Sequence, residues 1–202
     1  MGTTKLDICN GAISHVGYGE EIADFDNERS AEARACRHWY PKVIDEVLRD
    51  FNWPHARVIE PLGLVAENPN EEWDFAYRYP SDCRFFRRVL SGVRIVTPGT
   101  REPHVIGKDA EGLLIYTDKI EAECEYTSAS DDPAFYPPDF SAACEYLLAA
   151  RIAPRLVKED PLTRVRELAT FYGGAIAKAK ANAANEQQPD DAGESSFITG
   201  RG

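Results

Sequence analysis

Residues 48–56 read "LRDFNWPHA". A run of charges and aliphatics ends there in two large aromatics, a proline and a histidine. Either Phe51 to His55 rim an active site, or a helix stops here and its aromatics turn into a core. Upstream, Cys36, Tyr40, Val43, Val47, Leu48 and Phe51 recur at the three- and four-residue steps of an amphipathic helix. Trp53 falls just past the last turn, and Pro54 prevents the helix from continuing. The stretch is therefore expected to be a helix C-terminus whose Phe51 and Trp53 close over a core, with His55 near the negative helix end. A catalytic reading needs a partner for His55. Asp50 and Asp74 are the carboxylates available to it, and they would make the chain a small cytoplasmic hydrolase.

Working outward, residues 4–17 carry Leu6, Cys9, Ile13 and Val16 at helical spacing, with Thr4 and Asp7 as a capping box and Gly17 as the stop. The second helix begins near Ser30 and contains Pro41, which is expected to kink it. Residues 58–72 read as a loop. Trp73, Phe75 and Tyr77 alternate as a half-buried strand does, and Phe85 to Leu90 resumes the run after Pro80. "HVIGKDAEGLLIYTD" (104–118) reads as a hairpin, and Ala122, Cys124 and Tyr126 share one face of a further strand. A third helix starts at Pro137–Pro138, with Phe140, Cys144, Leu147, Leu148, Ile152 and Leu156 as its stripe. A fourth starts at Asp160–Pro161 and carries Leu162, Val165, Ala169, Tyr172 and Ile176. Residues 182–196 contain nothing apolar larger than alanine and are expected to lack order of their own. Phe197 and Ile198 follow, an apolar pair at the end of a polar arm.

The expected class is α+β and mainly helical: a four-helix bundle with a small antiparallel β insertion and an extended C-terminal tail. Residues 1–57 and 137–187 make the bundle, 58–136 the loop and β insertion, and 188–202 the tail.

The chain has 202 residues, 43% of them apolar and 28% charged, and no apolar run approaches the ~20 residues of a membrane span. The start, "MGTTKLDICNGAISHVG", lacks the basic flank and long apolar stretch of a signal peptide. Five widely spaced cysteines without a CxxC argue against a disulfide framework or zinc knuckle and fit a reducing cytoplasm. A net charge of −11 opposes general nucleic-acid binding, which needs a basic face. "RFFRR" (84–88) is the local exception. Arg84, Arg87 and Arg88 with interleaved aromatics fit base stacking, but fit better an alternating strand with a charged outer face. The four histidines lack metal-pair spacing, and no phosphate loop, GxGxxG or GxSxG occurs. No cofactor is expected.

The order of "ICNGAISHVG" (8–17), "SAEARACRHWYPKVIDEVLRDFNWPHA" (30–56), "PLG" (61–63), "WDFAYRYPSDCRFFRRV" (73–89), "PPDFSAACEYLLAARIA" (137–153), "FYGGAIAKAKANAAN" (171–185) and "SSFITGRG" (195–202) resembles the head-to-tail adaptor family of tailed phages. That family includes tail tubular and packaged-DNA stabilisation or head-completion proteins. The likeness runs over nearly the whole chain; Pro54–His55, after Phe51–Asn52–Trp53, departs from the plainer family continuation. It implies a non-enzymatic virion protein of the neck, assembled in the host cytoplasm. Copies would form a ring, usually dodecameric, beneath the portal protein. The ring would extend the DNA channel without gripping the genome and would offer a surface to the tail nozzle or next connector. The tail would dock on the portal through Phe197, Ile198 and Arg201. Glu67, Glu71, Glu72 and Asp74 are candidates for acids facing the channel, where carboxylates would let DNA slide.

Overall fold

A computed structural model describes residues 2–17, 19–93, 97–129 and 132–187. Helix α1 spans Lys5–Val16, and the Thr4–Asp7 capping box satisfies its first free amides. It stops at Gly17, whose φ of 76° lies in the left-handed region where a Cβ is disfavoured. Helix α2 spans Ala31–Asp50 and runs through Pro41 without a break, capped by the Ser30 hydroxyl. After the chain crosses a β unit, α3 (Pro138–Leu156) and α4 (Pro161–Glu186) complete the helical unit.

Helix α3 is the axis of that unit. It packs against α1, α2 and α4, whereas α1 touches α2 and α4 only in passing. Its Phe140, Cys144, Leu148 and Ile152 are fully buried. Trp53 is 1% exposed and packs edge-on against Phe140 at 4.9 Å, while Phe51 lies against it at 5.3 Å. Its indole N–H donates to the Val47 carbonyl at 2.7 Å, which satisfies one of the carbonyls left open at the end of α2. Helix α4 extends further than its composition suggested. Ala179 and Ala183 are buried against the core, because alanine combines high helix propensity with a side chain small enough for close approach.

The β unit holds strands β1 (Arg57–Pro61), β2 (Phe75–Arg78), β3 (Cys83–Val89), β4 (Val105–Lys108), β5 (Leu113–Thr117) and β6 (Glu123–Ser128). They form two antiparallel three-stranded sheets, ordered β1-β6-β3 and β2-β5-β4. Tyr77 and Ile115 of the second sheet meet Phe86, Val89, Cys124 and Tyr126 of the first in one apolar cluster. The second sheet also buries Ala76, Leu114 and Tyr116 on its other face, beneath Val65 and Trp73. The first sheet turns its other face, with Arg57, Glu125 and Thr127, toward the end of α2.

This overturns the four-helix bundle with a small β insertion. The helices gather on α3, and six strands in two facing sheets carry apolar clusters of their own. Residues 58–61 belong to a strand where a loop was expected, because β1 gains its partner only through β6, with Val58 opposite Tyr126. Pairing of that separation leaves no local trace in the sequence.

Replacing Trp53 with alanine should lower stability by about 3–5 kcal/mol, the usual cost of deleting a buried aromatic, as measured by denaturant unfolding. Replacing exposed Phe171 should change it far less.

Candidate functional site

The stretch from Phe51 to Arg57 divides its side chains between two environments. Phe51, Trp53 and His55 go to the helical core. Asn52, Pro54 and Arg57 line a cleft of about 670 Å³ between the end of α2, the first sheet and the end of α4.

On the apolar side, the His55 ring lies 4.6 Å from Phe140 and 5.5 Å from Tyr136. Both its nitrogens are buried and have no hydrogen-bond partner among the described residues. Burial pushes its pKa down to about 4, and the charge of Asp139 offsets this only in part. His55 is thus neutral near pH 7 and unoriented by any carboxylate. Asp50 pairs with Lys180 at 2.8 Å, and Asp74 offers its backbone N–H to Asp118 at 3.0 Å. The structure does not bring His55 together with either acid that a hydrolase reading requires.

On the polar side, Glu125 of β6 is 3% exposed and fully coordinated. Arg57 Nε lies 3.0 Å from one oxygen, and Asn52 Nδ2 donates to the same oxygen at 3.1 Å. Arg88 reaches the other through Nε at 2.8 Å and Nη2 at 2.7 Å. Burial alone raises the Glu125 pKa, but the donors and charges of Asn52, Arg88 and Arg57 outweigh it, so the pKa lies below the ordinary value and the group stays ionised.

Arg87 and Arg88 share this face because the strand is irregular. Phe86 pairs with Tyr126 and Arg88 with the next residue back, Glu125, so Arg87 is an extra residue in the ladder. Such a bulge breaks the strict alternation that would send consecutive side chains to opposite faces. Arg87 Nε and Nη2 donate to Thr127 Oγ1 at 3.0 and 2.8 Å, and Nη2 also bonds the Phe51 carbonyl. Its guanidinium lies over the Phe85 ring at 4.4 Å. Among the described residues, no carboxylate comes within ion-pairing distance of it.

The three arginines read as a possible base-stacking stripe are therefore divided. Arg84 pairs with Asp45 of α2 at 3.1 Å, Arg88 is bound to Glu125, and Arg87 sits in the cleft. Glu67, Glu71, Glu72 and Asp74 are all exposed on the β1–β2 connection, away from the cleft. Phe197, Ile198 and Arg201 lie outside the described residues. Sequence reasoning missed Asn52, Arg57 and Glu125. The alternation of residues 122–127 does put Glu125 opposite Cys124 and Tyr126, but a sequence-local view assigns that face to solvent.

Among the described residues, no group of three or more His, Cys, Asp or Glu side chains is placed to hold a metal ion, and no helix is long and apolar enough to cross a membrane. No protein-family model matches the chain, and no curated protein is significantly similar to it.

Two outcomes follow. Glu125→Gln should destabilise the protein by about 2–3 kcal/mol in denaturant unfolding, less than a fully buried pair because both arginines are partly exposed. His55 gives a pH effect of defined sign. Its native pKa is below its ordinary 6.5, so its contribution is complete above 6.5 and is lost as pH falls toward about 4. His55→Phe should therefore shrink the drop in unfolding midpoint between about pH 7.5 and about pH 5. The neighbouring Asp139 and Glu186 remain in place in this variant.

Proposed function

We propose that the chain is a structural virion protein, a head-to-tail adaptor that acts by assembly and does no turnover. In this reading its copies close into a ring beneath a portal, extend the DNA channel and present a docking surface to the tail. The observation that carries the reading is the apolar surface of the β unit. Leu64 and Ile120 are 63% and 66% exposed, and with Leu62, Phe75 and Tyr77 they line an open cleft of about 600 Å³. Ile59, Val105, Ile106 and Leu113 are also about half exposed on the same unit. A concentration of exposed aliphatics on one part of a chain marks a protein contact surface.

Charge supports the same reading. With a net charge of −11, and with Glu67, Glu71, Glu72 and Asp74 exposed, a ring lined by such carboxylates offers DNA few attractive contacts. Heterologous contacts, one surface against a different one on the next copy, are what close rings of this kind. The order of the sequence motifs supplies the partner class, a portal oligomer, and gives the terminal arm a docking role through Phe197, Ile198 and Arg201.

The test is co-assembly with a portal oligomer, read by electron microscopy and gel filtration. Leu64→Asp with Ile120→Asp should change the monomer's unfolding free energy by no more than about 0.5 kcal/mol per site, as expected for exposed sites, while abolishing rings. Deletion of residues 188–202 should abolish portal binding. Rings that form equally well in the double variant would refute the assignment of this surface, and retained portal binding after deletion would refute the docking role of the arm.

A further inference from the structure

We propose that the cleft around Arg87 is a binding site for a second carboxylate, one carried by an acidic polypeptide segment. This inference does not depend on ring formation.

Charge and donor geometry carry it. The cleft holds Arg57, Arg87 and Arg88 against Glu125 and, at its rim, Glu186. Three positive and two negative groups leave a net +1, in a chain whose total is −11. Glu125 is already held by Arg57, Arg88 and Asn52. Arg87 has only neutral oxygens, Thr127 Oγ1 and the Phe51 carbonyl. These contacts fix its guanidinium through Nε and Nη2, and among the described residues nothing engages Nη1. A guanidinium locked in place by neutral partners, with Nη1 left to donate and no carboxylate paired to it among the described residues, suits a carboxylate oxygen, since little side-chain freedom remains to be lost on binding. Burial disfavours the charged form of Arg87, so an arriving anion would relieve that cost. The bulge at Arg87 lets this side chain share the cleft face with Arg88, and bulges commonly re-aim side chains at binding sites.

A single carboxylate brings the cleft to neutrality, whereas a phosphate dianion would overshoot it. Glu125 and Glu186 would also repel a polyanion. The ligand is therefore assigned to protein rather than nucleic acid.

Aspartate or glutamate carboxylates are available from two sources. One is this chain: Gln187 lines the cleft and bonds the Asn52 carbonyl through Nε2 at 2.7 Å, and Asp190 and Asp191 follow within three or four residues. At about 3.3 Å per residue, that is a reach of roughly 10 Å. The other is an acidic segment of a second molecule.

The experiment uses the full chain and a blocked synthetic peptide, QPDDAGES, identical to residues 188–195, titrated calorimetrically at about 50 mM and about 500 mM salt. If the source is the chain itself, its tethered carboxylates compete at millimolar effective concentration. The wild type should then ignore the peptide, and Asp190→Asn with Asp191→Asn should bind it. If the source is another molecule, the wild type should bind it unaided. In both cases Arg87→Gln, introduced into the binding form, should weaken binding by at least about tenfold, and high salt should do the same. Arg87→Lys keeps the charge but loses the fork and should fall between the two, which covers the possibility that Arg87→Gln fails to fold. Absence of binding in both the wild type and the double asparagine variant would overturn the proposal. So would affinity indifferent to Arg87, or Arg87-dependent preference for a single-stranded oligonucleotide over the peptide.

Discussion

A carboxylate 3% exposed, at the seam between a sheet and the end of a helix, must be compensated where it stands. Glu125 meets that requirement by drawing on three other segments: Arg57 of β1, Arg88 of β3 and Asn52 just past α2. Buried ion pairs contribute little net stability against a well-packed apolar alternative, because desolvation opposes the attraction. What they impose is geometry, since removal of one partner strands the others. Here the imposed geometry is the attitude of the whole β unit. The first sheet must turn its Glu125–Thr127 face toward α2, and its Cys124–Tyr126 face is then left to pack against the second sheet. A second tie, Arg84 to Asp45, runs from the same strand β3 to α2 itself.

The division of residues 51–57 follows from that arrangement. Once the chain leaves α2 and enters β1 against this seam through the short turn at Pro54–Ala56, its side chains divide between the helical core and the cleft. Aromatics fall on one side and polar groups on the other. Trp53 and His55 close off the α3 core, while Asn52 and Arg57, which flank them in the chain, help complete the coordination of Glu125. The neutrality of His55 is the same partition expressed as protonation: its side of the chain is enclosed by Trp53, Tyr136 and Phe140, and its nitrogens are buried.

What the sequence disclosed is what short-range physics controls. The capping box at Thr4, the stop at Gly17 and the inward turn of Trp53 each depend on neighbours within a few residues, and each was legible. The end of α4 was not, because alanines look too small to anchor a helix until a close-packed partner such as α3 is known. The β unit was misjudged for a different reason. Strands β5 and β6 are buried on both faces, and their pairing with β2 and β1 joins segments far apart in the chain. The cleft was the least visible feature. "RFFRR" reads as alternation with a charged outer face, and only the bulge, a property of how β3 meets β6, places Arg87 beside Arg88.

The cleft also bears on how an acidic protein of this kind recognises others. A net charge of −11 repels polyanions at a distance, but at physiological salt the field decays over about 8 Å. Inside the cleft the local sum is positive, so Arg87 acts on whatever arrives within contact range. Charge at long range and charge at contact thus have opposite signs, and they select different partners. A polyanion such as DNA cannot neutralise the cleft without bringing many surplus charges against the surrounding acids. A single carboxylate on a polypeptide brings one, and in the proposed reading the apolar surface of the β unit would provide for the remainder of a protein contact. Recognition of this sort favours neighbours held close by assembly or by covalent connection, since neither requires attraction from afar.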